Sequence, residues 1–301
     1  MTVRQARESD HEAVTAFTAD TWDRYDGDYI PDVFLDWVDS DDETQRTLVA
    51  TLEETPVGIV RAVLLSEHEA WFQGMRVDPT HRDAGIGRNL AHASFDWARD
   101  QGATIGRNMV FSWNAQGLGL SRAAGFEPEM EFRWAHPDPD PDAEPEADVH
   151  ADRNAAWSYW QRTPERDSLR GLGLHMGESW AVSEVTPSRL ATARDDQALI
   201  VLDDGGTVGM TYRVRVYDRE REGREETWAE YGAAAWDDEA ACGDLMAAIA
   251  RDAASVDADF VRVLIPETPR SVSDVSLHRV EISEDPDFVM AVDLSRDTAL
   301  L

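Results

Sequence analysis

The segment GMRVDPTHRDAGIGRNL, residues 74–90, decides the fold of the first half of the chain. Its first residues are typical of a strand that ends near Val77, and a helical pattern begins at about Ile86. The loop between them contains Gly85 and Gly87. The first turn of a helix leaves backbone N–H groups unpaired, and glycine lets an anion approach them closely. The segment therefore predicts an anion-binding site at the start of a helix.

The charge of this segment supports the prediction. Residues 76–88 contain three Arg and two Asp, a net charge of +1 in a chain whose net charge is −32. Arg82 and Arg88 would add hydrogen-bond donors to those of the backbone. The alternative interpretation is a plain glycine turn between a strand and a helix. A Rossmann dinucleotide site is excluded because residues 85–90 lack the third Gly of that motif.

Strand and helix patterns alternate on both sides of this segment. Strands are predicted over 3–6, 47–52, 57–65, 70–77, 103–111 and 127–134, and helices over 10–22, 32–38, 86–101 and 115–124. A mixed central sheet flanked by helices on both faces fits this order. The expected fold class is therefore α/β.

A change of composition divides the chain. Residues 136–148, HPDPDPDAEPEAD, alternate proline with acidic residues, which predicts a stiff, extended linker. The predicted domains are then 1–135 and 149–301.

The second domain repeats part of the first. TPVGIVRAVLL (55–65) matches GTVGMTYRVRVY (206–217), and EAWFQGM (69–75) matches ETWAEYG (226–232). We predict a tandem copy of one fold, the alternative being two unrelated α/β domains that share a hairpin by chance. The residues after Trp236 include no Arg and one Gly where the anion loop would be, so this copy is predicted to be degenerate.

Composition excludes several classes of function. The chain of 301 residues has 28 basic residues, all of them Arg, against 60 acidic residues. Without Lys there is no P-loop and no pyridoxal phosphate Schiff base, and the negative charge disfavours nucleic acid and anionic membranes. The acidity indicates either adaptation to high salt, as in a halophilic archaeon, or an acidic interaction surface. The sequence shows no signal peptide or membrane span, so a cytoplasmic protein is expected. The one cysteine, Cys242, is interpreted as a buried small residue.

The loop and its flanking residues resemble the acetyl-CoA motif of the GCN5-related N-acetyltransferases (GNAT family). That motif is Arg/Gln-x-x-Gly-x-Gly/Ala after a strand ending in Val-x-Pro. The resemblance covers residues 2–134 and includes the opening VRQARESD, Asn114 and the AAGF of 123–126. It implies the GNAT fold, acetyl-CoA as acyl donor, no metal, and direct transfer to an amine of a small molecule or amino acid. A homodimer is compatible with it.

The resemblance also implies roles for individual residues in holding acetyl-CoA. Backbone groups of Met75 and Val77 would pair with the pantetheine arm, and the Val77 N–H would polarise the acetyl carbonyl. Asn114 would lie near the same arm. The pyrophosphate would be held by the loop residues Arg82, Asp83, Ala84, Gly85, Ile86, Gly87 and Arg88.

Two positions concern proton transfer. Side chains alternate along a strand, so Glu69 is expected on one face with Trp71, Gln73, Met75 and Val77, where it would act as a general base directly or through water. The alternative is a surface Glu at a strand end. Many family members carry a Tyr as general acid where this chain has Ser121. The Ser121 hydroxyl would donate a proton through water, although its own acidity is poor. Alternatively, Tyr25 or Tyr29 would serve as the acid, or the thiolate leaves unaided.

The acceptor is expected to bind beside residues 21–37. The aromatic residues Trp22, Tyr25, Tyr29, Phe34 and Trp37 would form walls, and Asp26 or Asp28 would attract an ammonium group, ordinary packing being the alternative. Their spacing resembles acetyltransferases that act on free amino acids such as histidine. Two other functions remain open: an acyltransferase for a longer acyl-CoA, and a non-catalytic acyl-CoA-binding sensor or scaffold.

Overall fold

The computed structural model describes residues 1–19, 21, 27–221 and 223–296. The chain forms two compact units. Elements of the first half are β1 (Thr2–Gln5), α1 (His11–Thr18), α2 (Ile30–Asp39), β2 (Gln45–Leu52), β3 (Thr55–Leu64), β4 (Glu69–Val77), α3 (Ile86–Asp100), β5 (Ile105–Phe111), α4 (Ala115–Ala124) and β6 (Glu127–His136). Those of the second half are β7 (Asp148–His150), α5 (Arg153–Trp160), α6 (Pro164–Ser168), β8 (Leu172–Leu174), β9 (Val182–Glu184), α7 (Pro187–Asp195), β10 (Leu199–Asp203), β11 (Thr207–Arg221), β12 (Arg224–Tyr231), β13 (Ala235–Trp236), α8 (Glu239–Ser255), β14 (Phe260–Pro266), α9 (Pro269–Leu277), β15 (Glu281–Ile282) and β16 (Asp287–Asp293).

The first unit contains a mixed sheet. Strands β1 to β4 follow one another as antiparallel neighbours, and β5 then pairs with β4 in parallel after the crossover through α3. Residues 289–293 of β16 lie on the other side of β5. The predicted α/β class, a mixed sheet flanked by helices, is confirmed.

Side-chain alternation in the strands gives this sheet two apolar faces. Val49 and Ile59 pack with α1 and α2, whereas their neighbours Leu48 and Val60 pack with α3. The amphipathic helices are placed by burying these two faces, and each fully buried Leu or Ile side chain contributes roughly 1.5–3 kcal/mol. This packing places the first turn of helix α3 beside the end of β4.

The second unit contains the same strand–helix–strand arrangement. Strands β12 and β14 are parallel and joined by α8, as β4 and β5 are joined by α3. The strand order is β6, β14, β12, β11, β10, β7, and all pairs other than β12–β14 are antiparallel. The matched sequence pairs at 55–65 and 206–217 therefore lie in corresponding strands, β3 and β11.

The units differ from the predicted domains in three segments, the shortest of which is residues 111–113, which belong to the second unit. Residues 129–136 belong to the second unit, where Trp134 pairs with Leu264 of β14, and residues 289–296 belong to the first. A strand joins whichever sheet edge offers unpaired backbone groups, whatever its place in the sequence.

The acidic segment after β6 lies against α8 within the second unit. The amide of Asp140 donates to the carbonyl of Ala250 at 3.0 Å. The amides of Glu146 and Ala147 donate to the Asp244 carboxylate at 2.8 and 3.0 Å. The predicted linker thus has fixed contacts. Within the described ranges, every helix is too short or too polar to span a bilayer.

Candidate active site

The first turn of α3 presents open backbone amides. Gly85 is the N-cap with a φ of +76°, and no side chain of the described chain caps this helix start. Its first turn carries no acidic residue. A glycine in the left-handed region turns the loop sharply, and the N–H groups that follow it are left for a ligand. These features, with the positive end of the helix dipole, fit a phosphate group.

The loop before α3 is open to solvent. Arg82, Asp83, Ala84 and Gly85 are exposed, as is Arg88 one turn later. Asp83 adopts a φ of +63°, a conformation that favours Gly, Asn and Asp. Two guanidinium groups and the open amides therefore lie on one short exposed stretch of the chain.

Ile86 and Gly87 have a different role from the rest of the loop. Both are buried, and Ile86 packs into the core beneath α3. A β-carbon on Gly87 would lie 2.9 Å from a methyl carbon of Leu120 in α4. The missing side chain at residue 87 therefore allows α3 and α4 to pack closely. Gly87 thus has a packing role in addition to its place in the phosphate motif.

Strand β4 contains a bulge at Gly74. Gly74 has a φ of +64°, and the pairing with β3 shifts register here: Gln73 lies opposite Arg61, but Arg76 lies opposite Ile59. One extra residue in β4 reverses the side-chain alternation.

The expectation that five alternating residues of β4 share one face is therefore wrong. Glu69, Trp71 and Gln73 share a face with Arg76, whereas Met75 and Val77 pack with the apolar cluster under α3. An isolated glycine inside a strand pattern is a signal for such a bulge.

Strands β4 and β5 separate beyond the bulge. They pair over 69–71, opposite 105–107, and in the described chain this ladder does not continue toward Val77. The edge of β4 at Met75 and Val77 thus has no neighbouring strand in the described chain, and the Met75 carbonyl accepts a hydrogen bond from Arg76 Nη1 at 3.0 Å. This opening leads toward the first turn of α3, and an extended ligand arm fits such an edge.

Asn108 follows the last paired residue of β5. Its Nδ2 donates to the hydroxyl of Ser121 at 3.0 Å, and its buried Oδ1 has no hydrogen-bond partner among the described residues. Ser121 itself is 5% exposed. Sequence reasoning did not single out Asn108, although an amide inside an apolar strand is a recognisable signal.

Asn114 caps α4. Its side chain accepts a hydrogen bond from the amide of Gly117 at 2.9 Å, which accounts for its residue type without a ligand. Helix α4 then ends at Gly125, whose φ is +105°.

Glu69 lies at the opposite end of β4 from the α3 loop. It is 3% exposed, and its Oε1 accepts a hydrogen bond from Arg107 at 2.7 Å. The Ser66 hydroxyl donates to its Oε2 at 3.1 Å. Glu69 is six residues before Met75, about 20 Å along an extended strand. The structure does not bring this carboxylate to the bulge.

Tyr29 lies over the bulge instead. A β-carbon on Gly74 would be 3.6 Å from the Tyr29 hydroxyl and 2.6 Å from the ring of Trp37. The two aromatic rings contact edge to face at 5.9 Å between centroids, and Tyr29 is 47% exposed. Phe34 is buried in the core with α1 and does not line this surface.

Asp28 is engaged within the protein. Its Oδ2 accepts a hydrogen bond from Arg76 Nε at 2.5 Å, and its Oδ1 accepts one from the amide of Ile30 at 3.1 Å. These contacts favour the packing interpretation of this acidic residue over capture of an ammonium group. The other expected wall residues, Trp22 and Tyr25, and Asp26 lie outside the described residues.

The corresponding helix start in the second unit is occupied by its own side chain. Asp238 caps α8 by accepting a hydrogen bond from the amide of Ala241 at 2.9 Å, and Glu239 adds a second acidic residue. An incoming phosphate would meet carboxylates there. Cys242 is buried, and burial raises the pKa of its thiol, which disfavours the reactive thiolate.

Residues 8–126 match the family model described as the acetyltransferase (GNAT) family. Over these residues the chain is similar to the GNAT acetyltransferases. The open α3 loop, the bulge in β4 and the gap between β4 and β5 all lie within the matched range. No curated protein matches this sequence.

Solved structures resemble the chain well beyond residues 8–126. A GCN5-related N-acetyltransferase from Sphaerobacter thermophilus aligns with a TM-score of 0.59 at 14% identity, covering 97% of this chain and 95% of that one. A candidate acetyltransferase from Thermoplasma acidophilum aligns with a TM-score of 0.58 at 14% identity, covering 97% and 100%. At such identities the likeness concerns the fold, which is therefore shared over nearly the full length.

Proposed function

We propose that residues 8–126 form a GNAT domain, which transfers the acetyl group of acetyl-CoA to a primary amine of a small molecule or an amino acid. The observation that carries the proposal is the uncapped, glycine-led start of α3, placed where β4 bulges and separates from β5. This arrangement offers amides for a diphosphate, and a strand edge without a neighbouring strand for the arm attached to it.

The donor would be held mainly by backbone groups. The exposed loop from Arg82 to Arg88 would take the diphosphate, and the edge of β4 at Met75 and Val77 would pair with the pantetheine amides. The thioester supplies an activated acyl carbon. The amine nitrogen forms a bond to that carbon, the carbon–sulfur bond breaks, the amine loses a proton and the thiolate gains one.

We assign the proton donor to Tyr29. Tyr29 is 47% exposed and its hydroxyl lies at the bulge of β4, whereas Ser121 is buried against Asn108 and has poor acidity of its own. Glu69 is paired with Arg107 at the far end of the strand, so a base role for it would require a chain of waters.

One observation favours a second candidate function. The position of the family's tyrosine acid holds Ser121, whose hydroxyl is engaged by Asn108. A non-catalytic acyl-CoA-binding sensor would keep the α3 loop and could dispense with a proton donor. The second unit is proposed to bind no acetyl-CoA in either case, because Asp238 occupies its helix start.

Calorimetry and a thiol-release assay test the proposal together, in molar KCl because of the net charge of −32. We expect one acetyl-CoA per chain and release of free thiol with at least one amine from a panel of amino acids, polyamines and aminoglycosides. Binding without release on any amine would favour the sensor. Absence of binding would overturn both functions.

A further inference from the structure

We infer that Arg76 and Asp28 are positioning residues that hold the Tyr29 phenol over the bulge at Gly74. The inference rests on the proposed function, because it assumes that Tyr29 takes part in acetyl transfer. It concerns three side chains that come together from separate parts of the first unit: the segment before α2 and the bulged half of β4.

The ion pair fixes the segment before α2 to β4. Arg76 Nε and Nη2 donate to the two carboxylate oxygens of Asp28 at 2.5 and 3.3 Å. The Asp28 side chain is 0% exposed, and it also accepts from the amide of Ile30. Tyr29 lies between Asp28 and Ile30 in the chain, so its backbone is held on both sides.

The ring of Tyr29 is held as well. The guanidinium carbon of Arg76 lies 5.8 Å from the centroid of the phenol ring, and Trp37 contacts that ring edge to face. Trp37 in turn packs on the backbone of Gly74, where no side chain would fit. The phenol thus has few alternative orientations although it is half exposed.

The bulge is what brings Arg76 to this place. With regular alternation from Gln73, residue 76 would point toward α3. The extra residue at the bulge places Arg76 opposite Ile59, on the face of the sheet that carries α1 and α2. The same distortion of β4 therefore opens the strand edge and directs the cation toward Tyr29.

A buried ion pair of this kind contributes little to the free energy of unfolding. Desolvating two charges offsets most of their attraction, and apolar residues of similar volume serve stability as well. A bidentate guanidinium–carboxylate pair does fix geometry, since both partners are directional. The pair is thus better suited to orienting a neighbour than to holding the fold.

The chain offers a matched control in the same unit. Arg4 donates to both oxygens of Asp10 at 2.7 and 2.8 Å, and Asp10 also accepts from the amide of Arg7 at 2.9 Å. Asp10 is 4% exposed. Asp10→Asn therefore breaks a similar buried pair beside a helix start, away from the bulge.

A double-mutant cycle on kcat tests the inference, with the best amine from the panel. We expect Arg76→Lys and Asp28→Asn each to lower kcat about tenfold when residue 29 is Tyr, and less than about twofold in the Tyr29→Phe background. KM for acetyl-CoA should change less than about twofold. Asp10→Asn should change kcat less than about twofold in either background.

Several results would overturn the inference. Equal losses in both backgrounds would show that the pair does not act through Tyr29, and so would full activity of Tyr29→Phe. Circular dichroism shows which variants are folded. If Arg76→Lys does not fold, the kinetics of Asp28→Asn alone test the inference. If the unaltered protein acetylates no amine, the proposed function fails and the inference with it. If the unaltered protein transfers acetyl groups but the losses of kcat are additive, the inference fails and the proposed function stands.

Discussion

The side-chain amide of Asn108 in β5 donates a 3.0 Å hydrogen bond to the hydroxyl of Ser121 in α4. Both residues lie beside the place where β5 separates from β4. The bond gives Ser121 a structural partner at the position where the family resemblance expects a tyrosine acid. Ser121 is thus accounted for by packing, and the proposed proton donor lies elsewhere, at Tyr29.

Replacing Ser121 by Ala should leave kcat within about threefold, because the residue is not the proposed proton donor. The free energy of unfolding should fall by about 1–3 kcal/mol, since the Asn108 amide loses its buried partner. Steady-state kinetics and urea denaturation measure the two effects. A hundredfold loss of kcat in a folded Ser121→Ala variant would return the acid role to this hydroxyl.

Introducing an acidic cap at the anion site should weaken the binding of acetyl-CoA. In Gly85→Asp the carboxylate would accept hydrogen bonds from the first-turn amides of α3 and repel the diphosphate. We expect affinity by calorimetry to fall about 100-fold, equivalent to about 3 kcal/mol.

Gly119→Asp is the charge-matched control. Gly119 is an exposed residue of α4, and a β-carbon added to it would have no neighbouring atom within 4 Å. The substitution should change the affinity less than about threefold. Equal losses in the two variants would mean that overall charge, and not the α3 amides, governs binding.

Gly87→Ala should destabilise the first unit by about 1–3 kcal/mol, because the added methyl group meets Leu120. Leu120→Ala should relieve part of this loss, so that the double variant is more stable than additivity predicts. Urea denaturation of the four proteins gives the coupling energy. Strict additivity would show that α3 and α4 do not contact each other through these residues.

Asp287 gives a pH dependence with a definite sign. Burial raises the pKa of Asp287 to about 6, against partial opposition from the Trp134 indole N–H, which donates to its Oδ2 at 3.0 Å. Between the usual carboxyl pKa and about 6, the folded protein binds more protons than the unfolded one. The contribution of Asp287 to stability is thus present at low pH and lost as pH rises through about 6.

Asp287→Asn should therefore raise the free energy of unfolding at pH 8 by roughly 2–4 kcal/mol and change it little at pH 4. Denaturation curves at the two pH values compare the variant with the unaltered protein. A gain of equal size at both would rule out ionisation of this carboxyl as the cause.

The sequence predicted those parts of the site that depend on local signals. The α3 loop follows from Arg82, Gly85 and the helical pattern after it, and α4 was predicted at its observed bounds, with Gly125 as the residue that stops it. Such signals concern residues a few positions apart, so they need no knowledge of the fold.

Contacts between distant residues could not be predicted in the same way. Asp28 and Arg76 are 48 residues apart, and their pairing depends on a bulge that reverses the alternation of β4. Gly74 does indicate a bulge, but not which face the later residues take. Residues 289–296 belong to the first unit because a sheet edge is open there. The position of an open sheet edge cannot be predicted from local sequence patterns.

The cap that Asp238 places on α8 makes that helix complete without any metabolite. Under the proposed function, the start of helix α3 at Gly85 would be completed by the diphosphate of acetyl-CoA. A ligand that binds only the folded protein stabilises it in proportion to the logarithm of the ligand concentration. Resistance of the first unit to proteolytic degradation should accordingly follow the cell's supply of coenzyme A. The rate at which the second unit is degraded should be the same at low and at high supply of coenzyme A.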